Sequence, residues 1–143
     1  MNNRIFDVIA NKGDQVEVIA ADDLVDAAVD RMNHRHVGSL LVIEDHKLVG
    51  ILTERDLLVR VLAARLDPAS TYVHDVMTRE VIVIGPGDSV TAAMEIITRR
   101  RCRHLPVVDG GRICGLVSAG DLSAWLVRDQ QQTIDDLHQY ITR

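Results

Sequence analysis

Two short stretches carry residue types that could do chemistry, and they say nearly the same thing. Gly50-Ile51-Leu52-Thr53-Glu54-Arg55-Asp56-Leu57 is matched by Gly115-Leu116-Val117-Ser118-Ala119-Gly120-Asp121-Leu122. Each reads as an apolar strand that delivers a hydroxyl to the start of a helix, with a carboxylate three residues later in the first turn. Such a junction gathers a hydroxyl, unpaired backbone N–H groups and an acid, a set that suits a sugar diol and a phosphate. The same spacing is also a capping box, in which hydroxyl and acid satisfy each other's backbone donors. Both readings stand on the sequence alone.

The elements that position these groups emerge from a repeat. An offset of 65 residues, from Gly50 to Gly115, pairs Val16 with Val81, Val18 with Val83, Ile19 with Ile84 and Asp23 with Asp88 without a gap. Val25 with Val90, Ala27-Ala28 with Ala92-Ala93, Leu40 with Leu105 and Val42 with Val107 fall on the same diagonal. The chain is therefore an internal duplication. Each repeat predicts β-α-β-β-α: a strand at 16–19 or 81–84, then a helix entered through an N-cap at Asp23 or Asp88. The core face of that helix is read as Leu24, Val25, Ala28, Val29 and Met32, or Val90, Ala93, Met94 and Ile97. A hairpin follows, turning at Asp45-His46 or Asp109-Gly110-Gly111. The expected fold class is α/β, two such units packed sheet to sheet with pseudo-two-fold symmetry. A helix over 3–11 stops at Gly13, and 75–77 is its counterpart. The expected divisions are 1–66 with the N-terminal helix, 67–128, and a helical extension over 129–143. Trp125, Leu126, Ile134, Leu137 and Ile141 keep a helical period there and are read as a partner surface.

Composition narrows the function classes. Of 143 residues 47% are hydrophobic but only 3% aromatic, so the core is aliphatic. A net charge of -5 and few aromatics for stacking argue against nucleic acid, and no apolar run is long enough to span a membrane. With no signal-peptide pattern, a cytoplasmic protein is expected. Cys102 and Cys114 fall opposite Val37 and Val49 in the repeat and read as buried small hydrophobes. A metal or redox centre built from Cys102, His104, Cys114, His34 and His36 is the alternative, though the spacing lacks the close pairs of structural zinc sites. No nucleophile–base signature points to an enzyme.

Two β-α-β-β-α repeats each ending G-h-h-[ST]-x-x-D resemble the cystathionine-β-synthase (CBS) domain pair, or Bateman module, over about residues 8–127. Met77-Thr78 and Arg103-His104-Leu105-Pro106-Val107-Val108-Asp109 add to the likeness. Thr53-Glu54-Arg55-Asp56 and the long last helix resemble free-standing bacterial CBS-pair proteins. The resemblance implies a non-catalytic regulatory module whose cleft binds AMP, ADP, ATP or NAD(H) and signals to an effector protein; S-adenosylmethionine is the alternative ligand. Carried over by position, Asp56 and Asp121 take ribose hydroxyls, and Thr53 and Ser118 lie near the phosphates. Arg103 and His104 would anchor phosphate, with Arg55 and Lys12 assisting, and Pro106 lies within the same motif. Val18, Ile19, Val83 and Ile84, with Pro86, would line an apolar slot around the base. Gly38 and Ser39 occupy the matching positions of the first repeat without charge, so the two ends of the cleft are expected to differ. The family's homodimers, paired through module helices, and tetramers built from them set the expected assembly.

Overall fold

A computed structural model describes residues 3–13 and 16–142; Met1, Asn2, Asp14, Gln15 and Arg143, which the expected divisions include, lie outside it. The order is α1 (Ile5–Lys12), β1 (Val18–Ala20), α2 (Val25–Arg35), β2 (Ser39–Glu44), β3 (Lys47–Thr53) and α3 (Glu54–Asp56). A π-helical stretch, Leu57–Leu62, extends α3. Then come α4 (Val73–Val76), α5 (Val90–Arg100), β4 (His104–Asp109), β5 (Arg112–Ser118) and α6 (Ala119–Ile141). The first repeat builds a three-stranded sheet, β1-β2-β3, with β1 parallel and β3 antiparallel to β2. In both repeats the hairpin carries an irregularity at the matched step, between Val42 and Ile43 and between Val107 and Val108.

The second repeat departs from expectation. The strand predicted over 81–84 reduces to a single parallel bridge, Ile84 to Val107, leaving a two-stranded sheet. Proline explains the loss. In the first repeat the Leu41 N–H donates to the Glu17 carbonyl (3.0 Å), which ties the chain ahead of β1 to β2. The residue matched to Leu41 is Pro106, which has no N–H to give. Only the bonds from Ile84 N–H to Pro106 O and from Val108 N–H to Ile84 O survive.

The helix starts also shift by one residue. Leu24 and Ser89 are the N-caps, and the Ser89 hydroxyl accepts from Ala92 N–H. Asp23 and Asp88 sit one residue earlier and close the preceding turns, accepting from Ala20 N–H and Gly85 N–H. On α2, Val25, Ala28 and Met32 are buried, whereas Val29 is exposed and Leu24, at the N-cap, is only half-buried.

The two cores exchange helices. Ile5, Val8 and Ile9 of α1, grouped by sequence with the first repeat, pack in the second core with Ile84, Leu105, Val107, Val117 and Leu122. Val73, Val76 and Met77, preceding the second repeat, pack in the first core with Ile19, Leu40, Val42 and Leu52. Leu41 is fully buried and Ile51 nearly so, although both lie on the sheet face turned away from that core. That face is therefore covered as well.

The exchange demands close approach at one glycine of each repeat. A Cβ on Gly50 would lie 2.6 Å from Met77 Sδ and 2.9 Å from the Thr78 carbonyl oxygen; one on Gly115 would meet the Ile9 side chain at 3.1 Å. Thr78 is bonded to Ile51 in both directions, so its backbone has no room to yield. Gly50→Ala is expected to cost about 2–3 kcal/mol in chemical denaturation, and Gly115→Ala clearly less. Equal costs would mean that the crossing at Thr78 is not rigid.

Candidate functional site

Both strand–helix junctions form as capping boxes, and their acids then part ways. At Thr53, the backbone N–H donates to Asp56 Oδ2 (3.0 Å), the hydroxyl donates to the same oxygen (3.1 Å), and Asp56 N–H donates back to Thr53 Oγ1 (3.2 Å). The other oxygen, Oδ1, accepts from the Thr78 hydroxyl at 3.0 Å and lies 3.9 Å from Arg60 Nε. Asp56 is thus buried with both carboxylate oxygens occupied. Arg60 is itself anchored, donating to the Met77 carbonyl at 2.7 Å. A polar depression of about 330 Å³ opens beside this group, lined by Arg60, His74, Thr78, Arg79 and Glu80 among others.

At the second junction Ser118 N–H donates to Asp121 Oδ2 (2.8 Å), and Asp121 N–H donates to Ser118 Oγ (3.0 Å). The residue from the exchanged helix is here a lysine: Lys12 Nζ donates to Asp121 Oδ2 at 2.6 Å and to the Leu116 carbonyl at 2.8 Å. Both bonds that the carboxylate accepts fall on Oδ2. Among the described residues no donor reaches Oδ1, and the side chain keeps 26% of its exposure against 9% for Asp56. Burial raises the Asp121 carboxyl, but the bonds from Lys12 and Ser118 outweigh it and hold the group below the ordinary aspartate value.

His104 opens β4 beside this ion pair. Burial, reinforced by the charges of Lys12 and Arg103, lowers its pKa below the ordinary histidine value against the opposing pull of Asp121 and Glu54. That environment favours the neutral imidazole, and nearby negative charge works against it. Glu54 belongs to the first repeat, so both repeats contribute charge here. Its N–H donates to Gly38 O, as Ala119 N–H donates to Arg103 O at the matched position. Gly38 therefore sits where the second repeat carries Arg103.

The structure gathers Lys12, Arg103, His104, Ser118 and Asp121 at one end, and Thr53 and Asp56 at the other. Arg55 and Arg103 are exposed. Of the residues expected around the base, Ile19 and Ile84 turn their side chains into the two cores, while Val18 and Val83 remain exposed. Pro86 is half-buried and spends its carbonyl on Phe6 N–H; Pro106 is buried. Cys102 and Cys114 are free and half-buried against the second core, less enclosed than expected. Among the described residues no three His, Cys, Asp or Glu groups converge as a metal site. Two participants went unassigned in the sequence: Arg60, whose signal was its i+4 spacing from Asp56, and Thr78, whose contact spans 22 residues.

The CBS-domain family model matches residues 7–63 and 73–128. The chain is 35% identical, over 96% of its length and 71% of the relative's, to "CBS domain-containing protein CBSX3, mitochondrial" of Arabidopsis thaliana. Among solved structures, "Crystal structure of CBS domain, NE2398" superposes with a TM-score of 0.85 at 37% identity, covering 89% of this chain and 99% of that one. A "putative signal-transduction protein with CBS domains" from Burkholderia ambifaria gives 0.82 at 34%, covering 88% and 93%.

The two acids should separate in a stability measurement. Asp56→Ala strands the Thr78 hydroxyl and removes the carboxylate half of the capping box, and is expected to cost about 2 kcal/mol. Asp121→Ala, more exposed and bonded through one oxygen, is expected to cost about 1 kcal/mol or less. Urea denaturation of the two variants reads the difference, and the reverse order would contradict the geometry.

Proposed function

The chain belongs to the CBS-domain family as a tandem pair, and from that premise we propose that it is a non-catalytic regulatory module. It senses an adenosine-containing nucleotide, AMP, ADP, ATP or NAD(H), chiefly at the Asp121 end, and signals its occupancy to an effector protein. The observation that carries this reading is the open Oδ1 of Asp121 beside three cationic or protonatable side chains. An ionised carboxylate offers acceptors only, which matches the two donors of a ribose diol. Arg103, exposed and able to grip phosphate through two parallel hydrogen bonds, supplies the anion contact, with Lys12 and His104 adding charge. Ser118 and the N–H groups opening α6 complete the phosphate end. Val18 borders the base.

The Asp56 end is the weaker site in this reading. A ribose there must displace the Thr78 hydroxyl, and Arg55 is the exposed cation at hand. Binding across the cleft ties the repeats together, and the effector reads the resulting change in population between two conformations. The module acts in the cytoplasm as a homodimer joined through module helices, where Leu58, Val59 and Leu62 are exposed.

Calorimetry with AMP, ATP and NADH on nucleotide-free protein tests the assignment. Asp121→Ala is expected to weaken binding at least about tenfold, the loss of a charge-assisted contact. Asp56→Ala is expected to act mainly on stability. Unchanged affinity in Asp121→Ala would remove the basis of the reading.

Binding should also depend on pH with a defined sign. A phosphate beside His104 raises the imidazole pKa, so the complex holds more protons than the free protein. Affinity is therefore expected to rise as pH falls from about 8 to 6, more steeply in the wild type than in His104→Gln. The variant corrects for the phosphate's own titration; identical slopes would exclude His104 from the anion site.

A further inference from the structure

From Val127 onward α6 presents an apolar row that none of the described residues covers. The final polar tether to the body is Asn3 Nδ2 donating to Asp129 Oδ2 (3.0 Å), beside Trp125 Nε1 donating to Asn3 Oδ1. Beyond it every described residue to Thr142 is exposed, yet the helix runs on to Ile141. This stretch continues a helix already nucleated against the body, but nothing packs on its apolar residues, and most helical stability in proteins comes from such packing.

The exposed apolar residues fall in heptad register. Val127, Ile134 and Ile141, exposed by 65, 57 and 75%, repeat every seven residues. Leu137, at 56%, occupies the intervening position, and Gln130 stands at the equivalent place one heptad earlier. The flanks of this row are Gln131, Thr133, His138 and Tyr140, with no acid or fixed cation. The acids lie outside it: Asp135 and Asp136 are held by Gln131 and Gln132 one turn back, at 3.0 and 2.9 Å. A chain of net charge -5 has thus kept carboxylates off one helical face.

We propose that this face is a two-stranded parallel coiled-coil seam whose occupant is the α6 of a second protomer. Uncharged flanks let the row meet its own copy without like-charge repulsion. β-Branched Val127, Ile134 and Ile141 alternating with Leu137 favour two parallel strands, and in-register pairing sets Gln130 against its own copy, where the two amides can bond each other. The module supplies a second argument. Leu62 and Val127 are matched positions of the two repeats and both are 65% exposed. A surface repeated about the module's pseudo-two-fold suits an isologous partner, and the seam continues it outward. The inference rests on the homodimer reading and is independent of the ligand.

Sedimentation equilibrium of the full chain, with and without Ile134→Asp/Leu137→Asp, tests it, together with oxidative crosslinking of Leu137→Cys and Asp136→Cys. The expected results are a dimer whose dissociation constant rises at least about a hundredfold in the double variant, and an interchain disulfide through position 137 but not 136. Circular dichroism checks that the globular fold persists. A monomeric wild type would overturn both the seam and the homodimer. A dimer that the double variant does not weaken, or crosslinking no better at 137 than at 136, would overturn the seam alone and assign the row to a different protein.

Discussion

Neither repeat closes its own core. The sheet and helix of the first leave an opening filled by Val73, Val76 and Met77, and those of the second are sealed by Ile5, Val8 and Ile9. Each fully buried aliphatic side chain contributes about 1.5–3 kcal/mol, so the exchanged segments are integral to both halves. The exchange fixes much else. It brings a backbone across Gly50 and a side chain across Gly115. It also sets the residue ending each exchanged segment against the acid of the repeat it completes.

That delivery makes the two junctions unequal. Thr78 and Lys12 arrive from corresponding segments, one as a short neutral hydroxyl and the other as a long cation. Thr78 occupies the second oxygen of Asp56 and fits within a buried group. Lys12 reaches the oxygen of Asp121 that the capping box already uses, stays half in solvent and leaves the other oxygen open. The same repeat also carries Arg103 where its partner has Gly38. One junction reads as structural reinforcement, the other as a place where an acid and several cations are held close at low steric cost.

The repeat was legible as an ungapped match at one offset, and the hairpins and capping boxes because each depends on neighbours a few residues apart; together they gave the α/β class. The departures come from contacts the local pattern does not carry. Pro106 breaks the outer strand of the second sheet through a donor it lacks to a partner 24 residues away. His36 and Arg101 end their helices in the left-handed conformation, at matched positions without the glycine that usually signals it. Asp23 and Asp88 looked like N-caps because their type fits that position, yet their acceptors serve the turns before the helices. Which acid keeps a usable oxygen depended wholly on long-range partners: 109 residues separate Lys12 from Asp121. The spacing T/S-x-x-D is identical in both repeats and could not distinguish them.

The central claim is that nucleotide is held by the second junction, with Asp121 on the ribose and the Asp56–Thr78 bond intact. A crystal structure of the full chain with ATP or AMP at saturating concentration tests it most directly. The expected result is a ribose diol on Asp121 Oδ1, phosphate oxygens within reach of Arg103 and His104, and Thr78 still donating to Asp56. A nucleotide seated on Asp56 with the Thr78 bond broken, and none at Asp121, would contradict the account.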